Sequence, residues 1–145
     1  MKTYELLAPA GDFSCLLAAF NAGSDAVYLA GKSFGARAFA GNFEKEELIE
    51  ALNYAHLFSK KIYLTLNTLI KETEFSQIAE FLQPFYENGL DGVIVQDLGV
   101  VSLLKKRFPL MEIHGSTQMT VSNYRSAAWF KEQGLCRIVP ARELS

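Results

Sequence analysis

The chain has 145 residues, of which 50% are hydrophobic, 12% aromatic and 21% charged, and its formal net charge is −2. This composition is that of a globular domain with a sizeable core, and it excludes a disordered tail, a collagen-like repeat and a coiled coil. The small negative net charge gives no sign of nucleic-acid binding through bulk positive charge, but it does not exclude a local basic patch.

Short apolar runs alternate with longer segments of helical periodicity along the chain. The predicted strands are Glu5–Ala8, Ala26–Leu29, Lys61–Leu66, Val93–Val95, Glu112–His114 and Arg137–Val139. The first, second and fifth helices are predicted to begin at Asp12, Asn42 and Ser122, which are good N-caps, and two more cover 75–85 and 98–104. Pro84 is able to kink or shorten the third helix. The strict alternation favours a parallel sheet with right-handed crossovers.

The two faces of the strands distinguish an open doubly wound sheet from a (β/α)₈ barrel. In the third strand Ile62 and Leu64 share an apolar face, while Tyr63 and Thr65 share the other, and the fifth strand puts Glu112 and His114 on one face. Helices cover both faces of a doubly wound sheet, which would make both faces apolar. A barrel has a separate interior, whose carboxyl end holds enzyme sites. We therefore predict an α/β fold, a parallel (β/α) barrel of the TIM-barrel type that is incomplete, with about six strands of eight.

The two cysteines, Cys15 and Cys136, are too few for a disulfide framework, a structural zinc site or an iron–sulfur cluster. Because both lie in apolar stretches, we predict buried, reduced thiols and no metal site. No apolar run approaches the roughly 20 residues of a membrane span, and Pro9 interrupts the only apolar run near the N-terminus. We therefore expect a cytoplasmic protein with no membrane partner.

Several motifs together carry a family resemblance. They are Glu5-Leu6-Leu7-Ala8-Pro9-Ala10-Gly11-Asp12, Gly23-Ser24-Asp25-Ala26-Val27-Tyr28, Phe34-Gly35-Ala36-Arg37, Asn42-Phe43, His114-Gly115-Ser116-Thr117-Gln118 and Ala141-Arg142-Glu143-Leu144-Ser145. They fall in order at the strand ends and resemble the N-terminal part of the peptidase U32 family, the collagenase-like proteases. The resemblance covers essentially the whole chain, so residues 1–145 are interpreted as the N-terminal part of a barrel domain.

The resemblance implies a hydrolase that acts on protein or peptide. Other members of the family hydroxylate bases in transfer or ribosomal RNA, and others act in ubiquinone hydroxylation. Several of these carry an iron–sulfur cluster on cysteines that follow the Arg-Glu-Leu-Ser segment. Residues 1–145 stop before that signature, so a cluster is expected only in a longer protein and not on the cysteines of this chain.

The loops that follow the strands of a barrel meet at one mouth, and polar residues at the predicted strand ends are therefore the candidate site. The candidate catalytic groups are His114 and Glu143, and the candidate substrate-binding residues are Arg37, Asn67, Gln96, Gln118 and Arg142. An interior His114 is suited to acid–base chemistry near neutral pH, and the alternative is a hydrogen-bonded structural histidine. Glu143 has the alternative role of a first-turn helix acid. We expect Glu112 to lie below His114 and to pair with Arg137.

Three functions stay open. The chain is part of a peptidase, part of an RNA-base hydroxylation enzyme, or a segment that only supplies scaffold and substrate contacts. The sequence contains no recognisable nucleophile–base pair, HExxH motif or P-loop, so the peptidase hypothesis rests on the resemblance. The predicted partners are accordingly a protein or peptide substrate, or a structured RNA. Because the first and sixth strands lack their barrel neighbours, we also predict that the fragment self-associates.

Overall fold

Six parallel strands form one sheet in the order β1-β2-β3-β4-β5-β6 in the computed structural model, which describes residues 4–34 and 43–144. The strands are β1 (Leu7–Pro9), β2 (Ala26–Leu29), β3 (Lys61–Leu66), β4 (Gly92–Val95), β5 (Glu112–Gly115) and β6 (Arg137–Ile138). The helices are α1 (Phe13–Asn21), α2 (Lys45–Leu57), α3 (Phe75–Glu87), α4 (Leu98–Arg107) and α5 (Tyr124–Glu132). The predicted alternation of six strands and five helices is confirmed.

Two predicted helix starts are wrong. Helix α2 begins after Glu44, whose backbone N–H donates to the carboxylate of Glu47 at 2.9 Å, and the predicted cap Asn42 lies outside the described residues. Helix α5 is capped by Asn123 rather than Ser122, because Asn123 Oδ1 accepts the backbone N–H of Ser126 at 2.9 Å. In each case a side chain closer to the first helical turn satisfies the free amide groups.

Two other boundaries differ from the prediction. Strand β1 begins at Leu7 instead of Glu5, because the carboxylate of Asp25 accepts the backbone N–H of Leu6 at 2.7 Å. Pro84 lies inside α3, which continues to Glu87 and is not shortened by it. None of the helices in the described part of the chain is long and apolar enough to cross a membrane.

The two faces of the sheet differ as predicted. The outward face packs against the helices through aliphatic residues of the strands, which are Val27, Leu29, Ile62, Leu64, Leu66, Val93, Val95 and Ile113. The opposite face carries a separate small cluster of Ala26, Tyr63 and Ile94, together with the buried polar residues Thr65 and His114. One sheet face covered by helices and one partly polar face are typical of a barrel wall.

The sheet is curled into a half-barrel, and one ion pair shows how strongly. Glu5 precedes β1 and Arg137 begins β6, yet Arg137 Nη1 donates to Glu5 Oε1 at 2.6 Å. Six strands in a flat sheet would separate β1 from β6 by about 24 Å, which is beyond the reach of the two side chains. The incomplete (β/α) barrel is therefore confirmed by the topology and by this contact between its two edges.

Candidate functional site

The concave face of the half-barrel holds a cluster of five polar side chains, which we call the interior polar cluster: Glu5, Tyr63, Glu112, His114 and Arg137. Parallel register places His114 of β5 directly beside Arg137 of β6. Tyr63 of β3 is fully buried, and its ring lies edge-on to the imidazole of His114 with 4.5 Å between centroids. Residues from β3, β5, β6 and the segment before β1 thus meet inside the sheet.

Glu5 is the acceptor at the centre of one half of this cluster. The Tyr63 hydroxyl donates to both carboxylate oxygens of Glu5 at 3.0 and 3.1 Å, and Arg137 lies over the Tyr63 ring at 5.3 Å from its centroid. Burial raises the pKa of Glu5, but the hydrogen bonds from Arg137 and Tyr63 outweigh it, so the pKa is lowered overall. Glu5 is therefore a carboxylate at neutral pH.

The partners of Glu5 are held in their ordinary neutral-pH forms. Burial, followed by the hydrogen bond to Glu5, raises the pKa of Tyr63, so its phenol keeps its proton. The hydrogen bond to Glu5 raises the pKa of Arg137 despite partial burial. The arrangement is a charge-assisted network that holds the two edges of the half-barrel together.

His114 occupies the other half of the cluster. Its side chain is 1% exposed, and its Nε2 lies 3.2 Å from Glu112 Oε2. Burial lowers the pKa of His114 although the hydrogen bond to Glu112 opposes the shift, so the imidazole is neutral at pH 7. Its Nδ1 is buried and has no hydrogen-bond partner among the described residues. The predicted interior orientation of His114 is therefore correct, but the ring is enclosed instead of lining an open mouth.

The expected pairing of Glu112 with Arg137 is wrong. Arg137 binds Glu5, whereas Glu112 contacts His114 and lies 3.8 Å from the ammonium of Lys61. The curl of the sheet explains the difference, because it brings a residue from before β1 within reach of β6. A prediction from neighbouring strands alone could not include that contact.

Gly92 makes room for this cluster on the concave face. It lies between Tyr63 and Glu112 in the sheet register. A Cβ added there would lie 2.9 Å from the carbonyl oxygen of Glu112 and 3.2 Å from Cδ1 of Tyr63. A hydrogen at this position leaves room for the Tyr63 ring, whose hydroxyl reaches Glu5.

The two cysteines are exposed, contrary to the prediction that they are buried. Cys15 lies on α1, which contributes other side chains to the core, and Cys136 precedes β6. A ligand atom of Cys136 lies within 4.8 Å of one from Glu112 and one from His114. Sequence reasoning missed this group because Cys136 is distant in the sequence. The signal that could have found it is the pairing of β5 with β6.

The residues predicted for the mouth lie after the strands, as expected. Asn67 and Gln96 are half-buried after β3 and β4, and Gln118, Arg142 and Glu143 are exposed after β5 and β6. No hydrogen bond or ion pair joins the side chains of Gln96, Gln118, Arg142 or Glu143 to another described residue. Arg37, the remaining candidate, lies outside the described residues.

The loops after β5 and β6 lie side by side, as predicted. The backbone N–H of Val139 donates to the carbonyl oxygen of Gly115 at 2.9 Å, and that of Ala141 donates to Val121 at the same distance. Gln118 and Arg142 are therefore carried by two adjacent segments at the carboxyl edge of the sheet. The nearby interior acids are already engaged, since Glu5 binds Arg137 and Glu112 contacts His114.

An iron–sulfur cluster does not fit the described residues of this chain. Such clusters are held by cysteine thiolates, commonly four, and the chain has two cysteines, on α1 and beside β6. Any cluster would have to be held by residues other than these.

Comparisons with known proteins identify similar sequences along the whole chain. The model for Peptidase family U32 matches residues 11–145. The chain is 36% identical to the tRNA hydroxylation protein P1 of Bacillus subtilis over 99% of its length, and 38% identical to the 23S rRNA 5-hydroxycytidine C2501 synthase of Escherichia coli over 97%. It is 39% identical to the uncharacterized protease MJ0090 of Methanocaldococcus jannaschii over 100% of its length.

The chain spans only part of these relatives, namely 34%, 21% and 35% of their respective lengths. Among solved structures, the U32 peptidase Mk0906 superposes with a TM-score of 0.73 at 14% identity, over 97% of this chain and 60% of that one. This likeness supports the fold of the incomplete barrel.

Proposed function

Because the chain belongs to Peptidase family U32, we propose that it forms part of the barrel of an enzyme that hydroxylates bases in transfer or ribosomal RNA. The observation that carries the proposal is the similarity, over nearly the whole chain, to proteins named for tRNA hydroxylation and for 5-hydroxycytidine synthesis in 23S rRNA. These relatives favour RNA hydroxylation over the peptidase hypothesis, which was the first expectation from the sequence. They are longer than this chain, so the reaction belongs to a longer protein.

The geometry gives little support to a cysteine peptidase built on Cys136, His114 and Glu112. A nucleophilic cysteine is activated when a neighbouring group lowers its pKa. Although the residue as a whole is exposed, partial burial of its thiol, followed by the negative charge of Glu112, raises the pKa of Cys136 instead. A thiol that keeps its proton at neutral pH is a poor nucleophile. The peptidase hypothesis therefore rests on the name of the family and of one relative.

We assign RNA contacts to the carboxyl edge of the sheet. Arg142 and Gln118 are exposed on adjacent segments there, and the arginine has no acidic partner among the described residues. A guanidinium binds a phosphate with two hydrogen bonds, and an amide reads polar groups of a base or ribose. Arg37, Asn67 and Gln96 are proposed to extend the same edge. The net charge of −2 requires such a local basic contact, because bulk charge attracts no RNA.

We propose Glu143 as the acid–base group at this edge. It is exposed after β6, next to Arg142. His114 has an enclosed ring whose polar contact is Glu112, so it acts as an interior group and not at the mouth. An enzyme for tRNA or rRNA works where these RNAs are found, and we therefore also propose a cytoplasmic location.

The proposal is tested with the full-length protein that contains this chain. The gene is deleted in its host, total tRNA and 23S rRNA are digested to nucleosides, and hydroxylated pyrimidines are measured by mass spectrometry. Deletion should remove one hydroxylated nucleoside from one RNA class, and the wild-type gene should restore it. Arg142→Ala should restore it at least about tenfold less efficiently, because it removes the proposed phosphate contact.

Arg107→Ala is the matched control. Arg107 is an exposed arginine at the carboxyl end of α4. Because α4 leads from the end of β4 back toward the start of the parallel strand β5, Arg107 lies toward the amino edge of the sheet and Arg142 at the carboxyl edge. It should restore modification fully. Unchanged nucleosides in the deletion strain would contradict the proposal. Cleavage of casein by the purified protein, abolished by Cys136→Ser, would establish the peptidase alternative instead.

A further inference from the structure

We propose that the carboxyl ends of β3 and β4 form a pocket for a single unpaired base of the RNA. In this pocket Asn67 and Gln96 contact the polar edge of the base, and Leu69 and Leu98 contact its flat faces. The inference rests on the proposed function and deepens it, because it assigns the part of the nucleotide that this stretch of the sheet edge binds. The pocket is separate from Arg142, which follows β6.

The sheet register places the two amide residues side by side. Leu66 is the partner of Val95, so the residues that follow them, Asn67 and Gln96, end neighbouring strands that lie about 4.8 Å apart. Residues two positions apart on a strand share a face. Ile94 lies on the concave face, and Gln96 and its neighbour Asn67 therefore face the same way. Both side chains are half-buried, so the sheet positions them and the mouth still gives access to them.

Asp97 fixes the rim of the pocket. Its Oδ2 accepts the backbone N–H of Ile70 at 3.2 Å, and its Oδ1 accepts that of Gly99 at 2.7 Å. The carboxylate thus joins the loop after β3 to the first turn of α4. Leu69 precedes Ile70 and Leu98 follows Asp97, so these bonds bring two leucines to one rim, where they are 73% and 53% exposed. Large exposed apolar side chains beside half-buried polar ones are typical of a ligand site.

The interior below the amides is filled. Thr65, Ile94 and His114 form the next layer of the concave face, and all three are buried. A ligand at Gln96 therefore rests at the mouth and does not enter the sheet. Such a shallow pocket suits a flat ring, because a ring makes its contacts through one edge and its faces.

The chemistry of these side chains matches an unpaired base. A carboxamide has an acceptor oxygen and a donor NH₂ group, and the polar edge of a pyrimidine likewise has donors and acceptors without a charge. The side chain of Gln96 forms no hydrogen bond with another described residue, so its amide is available to a ligand. In a duplex the same edge is paired and the same faces are stacked, and proteins therefore read bases in single strands and loops. The pocket thus selects an unpaired nucleotide, whose phosphate is left to Arg142.

The test uses the purified full-length protein and labelled RNA hairpins that share one stem. One hairpin has a loop of uridines and cytidines, and another has a loop of abasic residues, which keep the phosphates and lack the bases. The third probe is a fully paired duplex. Fluorescence anisotropy gives the Kd of each probe over a range of salt concentrations. We expect the pyrimidine loop to bind about tenfold more tightly than the abasic loop or the duplex, because only its bases offer free edges and faces.

The variants separate base contacts from phosphate contacts. Gln96→Leu keeps the size of the side chain and removes its hydrogen bonds, so it should lower the preference for the pyrimidine loop by about threefold or more. Leu98→Ala should lower the same preference, and its exposed position makes loss of the fold no explanation. Arg142→Ala should instead weaken both loops equally and reduce the slope of log Kd against log salt by about 0.7. Gln77→Leu, at an exposed position on α3, is the matched control and should bind like the wild type.

Equal affinity of the wild type for the two loops would overturn the proposal, as would a preference that Gln96→Leu and Leu98→Ala both leave intact. If deletion of the gene still removes a hydroxylated nucleoside, such a result leaves the proposed function standing. If deletion changes no nucleoside, the proposed function fails, whereas a pyrimidine preference that depends on Gln96 would still support the base pocket. Binding of a labelled casein peptide that depends on Gln96, without a preference between the two loops, would assign the pocket to a peptide and overturn the proposal.

Discussion

Replacing Glu5 with glutamine tests whether the interior polar cluster holds the curled sheet together. Glu5 accepts the Arg137 guanidinium at 2.6 Å and the hydroxyl of the fully buried Tyr63 at 3.0 and 3.1 Å. A hydrogen bond to a charged group contributes about 1.5–3 kcal/mol, and a partly exposed ion pair about 0.2–1 kcal/mol. Glutamine keeps one acceptor oxygen, so we expect Glu5→Gln to lower the free energy of unfolding by about 1–2 kcal/mol.

The pH dependence of this loss carries the sharper test. The pKa of Glu5 in the folded protein is below its ordinary value of 4.5. Its stabilising contribution is therefore fully present above pH 4.5 and is lost as the pH falls through the lower folded value. Glutamine does not titrate. The difference in unfolding free energy between wild type and Glu5→Gln should be largest at neutral pH and should shrink as the pH falls below 4.5.

Urea unfolding followed by circular dichroism at neutral pH and below pH 4.5 measures the difference. With a slope of about 2 kcal/mol per molar urea, the midpoint should shift by about 0.5–1 M at neutral pH. Glu80→Gln on α3 is the control, because Glu80 is exposed and forms no ion pair with another described residue. Equal midpoints for wild type and Glu5→Gln at neutral pH would refute the reasoning, as would a difference that persists in acid.

Three further predictions concern the sheet and its caps. Gly92→Ala should destabilise the protein by about 1–3 kcal/mol, because the new Cβ would lie 2.9 Å from the backbone carbonyl oxygen of Glu112. Urea unfolding measures this change, and a variant as stable as the wild type would contradict the prediction. Asn123→Ala should lower the free energy of unfolding by about 1 kcal/mol, because it removes the N-cap of α5. Ser122→Ala should leave the melting temperature unchanged. A larger loss in Ser122→Ala than in Asn123→Ala would show that Ser122 is the cap. The 145-residue chain should self-associate through β1 and β6, because each pairs with only one strand in the described sheet and has a free edge. Light scattering that shows monomers at all concentrations would contradict this.

The fold could be predicted from the sequence because local signals agreed with the global arrangement. The apolar periodicity identified six strands and five helices, and the two faces of the strands separated barrel from open sheet. The helix starts at Asn42 and Ser122 were wrong because a neighbouring acidic or amide side chain is as good a cap, so local chemistry leaves the exact position undetermined.

The candidate site was predicted in part. The orientation of His114 follows from strand periodicity, and the adjacency of the loops after β5 and β6 follows from sequential strand order. The partner of Arg137 could not be predicted, because Glu5 lies 132 positions away and meets it only once the sheet curls. The exposure of Cys136 was missed because an apolar sequence neighbourhood does not show which side of a strand end a residue occupies.

The two halves of the interior polar cluster are physically coupled. Tyr63 contacts both the Glu5 carboxylate and the His114 ring, and Glu5 holds Arg137 beside His114. Glu5→Gln and Tyr63→Phe act on the two ends of the same hydrogen bond, so their effects on the free energy of unfolding should not add. We expect the double variant to be destabilised by less than the sum of the two single variants, as measured by urea unfolding. A loss equal to that sum would mean that the two residues act separately.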